Sequence, residues 1–92
     1  MGRRGVESVR TAENDALLNV VKRARLSLGV TQRRLSERLG RSNNYIANIE
    51  RGSRRLDVVE FTRIAIVLGI DPAMLYADYL SALPKSPAPN SP

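Results

Sequence analysis

Thr31-Gln-Arg-Arg-Leu-Ser-Glu-Arg-Leu-Gly40-Arg-Ser-Asn-Asn-Tyr-Ile-Ala-Asn-Ile-Glu-Arg-Gly52 is the stretch on which the fold turns. Thr31 is placed to cap a helix, and Leu35 and Leu39 fall four apart on one face of it. Gly40 follows at once, as suits the left-handed residue that ends a helix before a sharp change of direction. Ser42 then offers a hydroxyl to the free N–H groups of a second helix, expected over about residues 42–51. Ile46 and Ile49 lie three apart on that helix and point toward a core, and Gly52 closes it as Gly40 closes the first. Ser36 is small where two helices meeting steeply across a short turn tolerate little else. These local choices agree with one another, and that agreement is itself evidence for two short helices joined by a tight turn.

With Ile46 and Ile49 turned inward, Asn44, Asn48 and Arg51 share the outer face, and Asn43 and Tyr45 sit beside them near the N-terminus. The major groove of DNA is wide enough to admit a helix, and Asn can make a two-point hydrogen bond to an adenine edge. Asn43, Asn44, Tyr45 and Asn48 are therefore the candidate base readers. Arg41 and Gln32, near the polarised helix N-terminus, suit phosphate. The plainer alternative, that Asn and Arg only solvate an exposed helix, loses ground inside a complete helix-turn-helix frame.

Charge is distributed to match. The chain has 92 residues and a formal net charge of +6. Residues 22–55 carry ten Lys and Arg against two acids (Glu37 and Glu50), or +8. Residues 1–21 are neutral and residues 56–92 carry −2. Concentrating positive charge on the turn motif is the electrostatic footprint of a phosphate-binding surface.

From about Leu17 to Leu80 the chain resembles the phage-repressor (Cro/C1-type, or xenobiotic-response-element) helix-turn-helix family of DNA-binding transcriptional regulators. The resemblance lies in Arg25…Leu28-Gly-Val-Thr-Gln, Leu35-Ser36, Gly40, Ser42…Tyr45-Ile46, Ile49-Glu50-Arg51-Gly52 and Ile64-Ala65…Leu68-Gly69-Ile70. It implies an all-α fold, a compact five-helix bundle whose third helix reads the groove. It also implies that Gln32 contacts phosphate and that Asn43, Asn44 and Asn48 are base readers. Arg51, Ser53, Arg54 and Arg55 fall in the loop that follows the sugar-phosphate backbone, and Arg33, Arg41 and Ser42 join that backbone set. Arg25 and Glu50 match a pair that ties the first helix to the third. Leu56 departs from the family, many of whose members have Pro there; this is expected to alter the loop and not the function.

Composition narrows the classes. There is no Cys and no His, which excludes disulfides, Cys/His zinc sites and imidazole catalysis. The acids are dispersed, with no metal cluster or nucleophile–base arrangement, so an enzyme is not expected, nor is a cofactor, metal or small-molecule ligand. One Phe and three Tyr argue against an RNA-stacking surface. No apolar run approaches the 18 or so residues that cross a bilayer, and the N-terminus lacks an apolar signal core. A cytoplasmic, nucleoid-associated protein is expected.

Outward from the motif, residues 1–13 read as a flexible arm. Arg3 and Arg4 would suit a minor groove, but Glu7 and Glu13 dilute that charge. The domain proper is expected over 14–82. Its first helix runs from about Asn14 to Ser27, with Leu17, Leu18, Val21 and Leu28 as its apolar stripe and Gly29 at its end. Asp57 and Glu60 are spaced as a capping box for a fourth helix reaching about Leu68. Asp71-Pro72 opens a fifth. Residues 83–92, with Pro at 84, 87, 89 and 92, read as a disordered tail.

Val58, Phe61, Ile64, Ala65 and Leu68 suffice for the inward face of the fourth helix, leaving Val59, Ile66 and Val67 over. The fifth adds Met74, Leu75, Tyr76, Tyr79, Leu80 and Leu83, more than one short helix can bury. Surplus apolar surface on a small domain usually marks an interface. A symmetric homodimer is expected through Ile66, Val67, Met74, Tyr76, Tyr79, Leu80 and Leu83. It would place two reading helices in successive major grooves of an inverted repeat in double-stranded DNA. Regulation would then follow from covering a promoter or contacting RNA polymerase beside it. The alternative is an antitoxin-type protein whose main partner is a toxin, which a co-purifying toxin would reveal.

Overall fold

A computed structural model describes residues 11–84, and these form five α-helices. Helix α1 spans Ala12–Ser27, α2 Gln32–Arg38, α3 Tyr45–Glu50, α4 Val58–Leu68 and α5 Pro72–Ala82. Among the described residues no strand occurs, and no helix there is long and apolar enough to cross a membrane.

The caps show why each helix begins where it does. The Thr11 hydroxyl accepts the Asn14 N–H at 3.0 Å, and Thr31 does the same for Arg34. Asp57 and Glu60 make a complete capping box: the Asp57 carboxylate accepts the Glu60 N–H at 2.7 Å, and the Glu60 carboxylate accepts the Asp57 N–H at 3.1 Å. Asp71 caps α5 by accepting the Ala73 N–H at 2.9 Å, with Pro72 in the first turn. Glu13 and Asp15 in the first turn of α1 and Arg25 in its last complement the helix dipole.

At Gly40 the chain takes φ +71°, and the Arg41 N–H reaches back to the Ser36 carbonyl at 3.0 Å. A Cβ there would meet no atom within 4 Å, so the demand for glycine comes from the backbone and not from crowding at that atom.

The core is continuous. Val21 of α1, Leu35 of α2, Ile46 and Ile49 of α3, Ile64 and Ala65 of α4 and Leu75 of α5 are buried together with Leu18, Phe61 and Leu68. Helix α1 packs on α3, α4 and α5, while α2 packs on α3 and α4. Leu56 is buried in this core and anchors the loop between α3 and α4.

Several sequence expectations are corrected. Helix α1 begins two residues earlier than Asn14, because Thr11 rather than a later residue supplies the cap. Thr11–Glu13 therefore leave the expected 1–13 arm; residues 1–10, with Arg3 and Arg4, lie outside the described residues. Leu28 is not part of the α1 stripe: it is the C-cap residue and is exposed. Val58, the first residue of α4, is 70% exposed and contributes little to the inward face. Of the expected tail, Leu83 is half-buried as the C-cap of α5, and residues 85–92 lie outside the described residues.

Candidate nucleic-acid interface

One buried hydroxyl ties α2 to α3. Ser36 is fully buried; its Oγ donates to the Gln32 carbonyl at 2.9 Å and accepts the Ile46 N–H at 3.1 Å. It thus satisfies a backbone donor in the first turn of α3 that has no partner within its own helix. With Ile46 and Ile49 at zero exposure, the opposite side of this segment must face out. Asn43, Asn44 and Arg51 are exposed there, and Asn48 is half-buried.

Helix α3 is shorter than the expected 42–51. The Tyr45 N–H bonds the Ser42 carbonyl at 3.1 Å, so Ser42–Asn44 form a turn that leads into the helix. Asn44 is the N-cap residue and its side chain makes no capping hydrogen bond, so the cap expected from Ser42 is not formed and the Ser36 hydroxyl of α2 meets the Ile46 N–H instead. Asn and Ser favour such turns because their side chains compete with regular helix bonds.

Tyr45 does not belong with the base readers. It is only 7% exposed, and its hydroxyl donates to Glu60 Oε2 at 2.9 Å. The ring turns inward because its position, four residues before Ile49, shares the buried face. Burial pushes the Tyr45 phenol above its usual range, and the hydrogen bond to Glu60 adds to the shift. Glu60 moves the other way. Burial alone would raise it, but hydrogen bonds from Arg54, the Asp57 N–H and Tyr45 hold its carboxyl below the ordinary carboxylate range.

A second buried network fixes α3 to the rest of the domain. Arg25 Nε donates to Glu50 Oε2 at 2.7 Å and Arg25 Nη2 to Glu50 Oε1 at 3.0 Å, a two-point pair with both side chains buried. The third guanidinium nitrogen, Nη1, donates to the Val30 carbonyl at 2.8 Å. Gln32 Nε2 donates to Glu50 Oε1 at 2.8 Å, joining α2 to the same carboxylate. Every charge in this network is met by planar, multiply hydrogen-bonded contact, the condition under which burying an ion pair is tolerated.

The outer surface is basic. Arg33, Arg41, Ser42, Ser53, Arg54 and Arg55 are exposed around α3. Arg33 stands 3.7 Å from Glu37, an exposed pair of small energetic weight. Arg54 is partly engaged: its Nη2 donates to Glu60 Oε2 at 2.5 Å. Arg51 donates to the Asn48 side-chain oxygen, and the Asn48 carbonyl accepts the Ser53 N–H at 3.0 Å and Oγ at 3.1 Å.

Glu60 is the residue whose role sequence reasoning gave only in part. Its spacing from Asp57 reveals the capping box, but nothing in that spacing shows that its second oxygen gathers Tyr45 and Arg54.

Two short helices latched at a steep turn, with an amide- and arginine-bearing face outward, define a helix-turn-helix DNA-binding domain. Comparison with known proteins agrees: the helix-turn-helix family profile matches residues 21–75. Among solved structures, an XRE-family like protein from Pseudomonas syringae pv. tomato str. DC3000 is similar, with 34% identity and a TM-score of 0.74. That alignment covers 87% of this chain and 98% of the other. No curated protein matches significantly. The chain belongs to the Cro/C1-type helix-turn-helix family of DNA-binding transcriptional regulators.

Proposed function

We propose that the protein is a sequence-specific regulator that binds an inverted-repeat operator in double-stranded DNA as a homodimer, with α3 and its lead-in turn in the major groove. The observation that carries this reading is the outward face of residues 43–51. Asn43, Asn44 and Arg51 stand exposed on a segment whose other side, Ile46 and Ile49, is locked into the core. Asn43, Asn44 and Asn48 read bases. Gln32, Arg33, Arg41, Ser42, Arg51, Ser53, Arg54 and Arg55 follow the backbone, where contacts position the protein without specifying sequence.

The homodimer is supported by apolar side chains left outside the core. Ile66 and Met74 are 62% and 65% exposed, and Tyr76 and Leu80 are also exposed. Val67 and Tyr79 pack partly against the core and Leu83 is half-buried, so they form the base of the patch. Leu75, counted as surplus from sequence, is 2% exposed and belongs to the monomer core.

Selection from a pool of random duplexes, followed by footprinting, tests the proposal. It should return an inverted repeat with half-site centres about 34 Å apart, or a multiple of that spacing. With some 6–10 phosphate contacts, affinity should fall by about 10³–10⁵ between roughly 50 and 200 mM salt. Recovery of no preferred sequence counts against it.

A further inference from the structure

Arg41 and Arg54 reach one ring from opposite ends of α3. Arg41 lies in the turn before the helix and Arg54 in the loop after it, yet their guanidinium carbons stand 4.9 and 5.2 Å from the centre of the Tyr45 ring. Both distances fall within the range of cation–π attraction. The ring is itself held, since its hydroxyl donates to Glu60 Oε2 at 2.9 Å and the same oxygen accepts Arg54 Nη2 at 2.5 Å. The other Glu60 oxygen accepts the Asp57 N–H at 3.1 Å.

We propose that Tyr45 and Glu60 are positioning residues for the DNA contact: they hold the guanidinium groups of Arg41 and Arg54 ready to grip backbone phosphates at the two ends of α3. This rests on the DNA-binding reading above and adds residues that aim the basic groups without touching DNA. Arginine offers five N–H donors in a planar fork. Arg54 commits Nη2 to Glu60 and stacks on Tyr45 while 43% of its side chain remains exposed, so part of the fork is open to a phosphate. Giving up Glu60 would strip the cation from a carboxylate that is itself 9% exposed, which is unfavourable. The anchor therefore persists when DNA is bound. The cost of ordering a long side chain is met on folding and not on association.

The test is Glu60→Gln in the full chain, titrated with the selected operator and with a scrambled duplex of equal length over a range of salt. Gln at this position keeps one oxygen to complete the capping box, and its amide N–H can donate to the Tyr45 hydroxyl oxygen, but it lacks the charge and the second acceptor oxygen that anchor Arg54. Losing an acid makes the protein more positive, which by itself tightens DNA binding. Positioning predicts the opposite sign: operator affinity falls about three- to tenfold, the order expected for one charge-assisted contact near the surface. The log–log salt slope becomes shallower by about 0.9, the share of one phosphate. Base preference on a panel of single-base-pair variants stays as in the wild type.

Arg54→Lys repeats the test without disturbing the capping box. It keeps the charge but cannot divide a planar fork between Glu60 and a phosphate, so it loses affinity by a similar factor. Equal or tighter binding by either variant overturns the proposal. A loss accompanied by altered base preference also overturns it, because α3 itself would then have moved. Failure of the wild type to separate operator from scrambled duplex removes instead the DNA reading on which the proposal rests.

Discussion

The Ser36 hydroxyl accepts the Ile46 N–H at 3.1 Å, so a side chain of α2 completes the first turn of α3. Ser36 is fully buried, and its own proton goes to the Gln32 carbonyl. Replacing it with Ala leaves the Ile46 donor buried without a partner and should cost about 1–3 kcal/mol in chemical denaturation. Ser36→Leu should cost more, since no room exists for added methylenes at zero exposure. If Ser36→Ala matches the wild type in denaturation, the hydroxyl is not what joins the two helices.

Arg25 and Glu50 form the buried pair beneath α3. Removing either partner strands the other charge, and Glu50→Ala or Arg25→Ala should destabilise by about 3–5 kcal/mol. For a small domain this is a large part of a total of about 5–15 kcal/mol, so partial unfolding near physiological temperature is expected by circular dichroism. The double replacement Arg25→Met/Glu50→Leu should lose less than the sum of the single changes, because no lone charge remains. Strict additivity would contradict direct coupling.

Burial of the Tyr45 phenol and the hydrogen bonds that converge on Glu60 give stability two pH edges. Glu60 is held below the ordinary carboxylate range when folded, so its contribution is complete above that range and is lost as pH falls below about 4. Tyr45 is raised, so its contribution is complete below the usual phenol range and is lost as pH climbs past about 10. Thermal melts across pH should show Glu60→Gln flattening the acid limb and Tyr45→Phe flattening the alkaline limb. Unchanged limbs in both variants would contradict the coupling.

Ile66 and Met74 are exposed in the monomer, so a charge placed there should leave the fold intact. Sedimentation should find the wild type dimeric at micromolar concentration and Ile66→Glu or Met74→Glu monomeric, with weaker operator binding. A wild type that sediments as a monomer, both free and on DNA, contradicts the dimer.

Much of this domain is legible in the sequence because its punctuation is local. Gly40, Gly52 and Gly69 mark positive-φ stops, and Asp57 with Glu60 spells a capping box whose hydrogen bonds form as spaced. What escaped reading depends on contacts distant in sequence. Tyr45 lies at helical spacing from Ile49, a signal of burial, but its neighbours Asn43 and Asn44 suggested the outer face. Only the arrival of Glu60 from α4 explains how a phenol can be buried there with its hydroxyl satisfied. Leu56 looked like a loop variation because a lone apolar residue between polar ones has no periodicity; its burial follows from the route of the loop across the core. Val58 and Leu28 failed for a related reason. Both sit at helix ends, where residues turn away from the stripe that periodicity projects.

The outward amide face of α3 and its lead-in turn is tested most directly by measuring the affinities of wild type and Asn44→Ala for operators carrying each of the four base pairs at every half-site position. The wild type should show a spread of roughly 1–3 kcal/mol at the contacted position, and Asn44→Ala should flatten that position alone. Arg55→Ala, altered at a candidate phosphate contact, should weaken all operators alike. A uniform loss from Asn44→Ala, with the wild-type preference intact at every position, would contradict the assignment of α3 and its lead-in turn as the reading element.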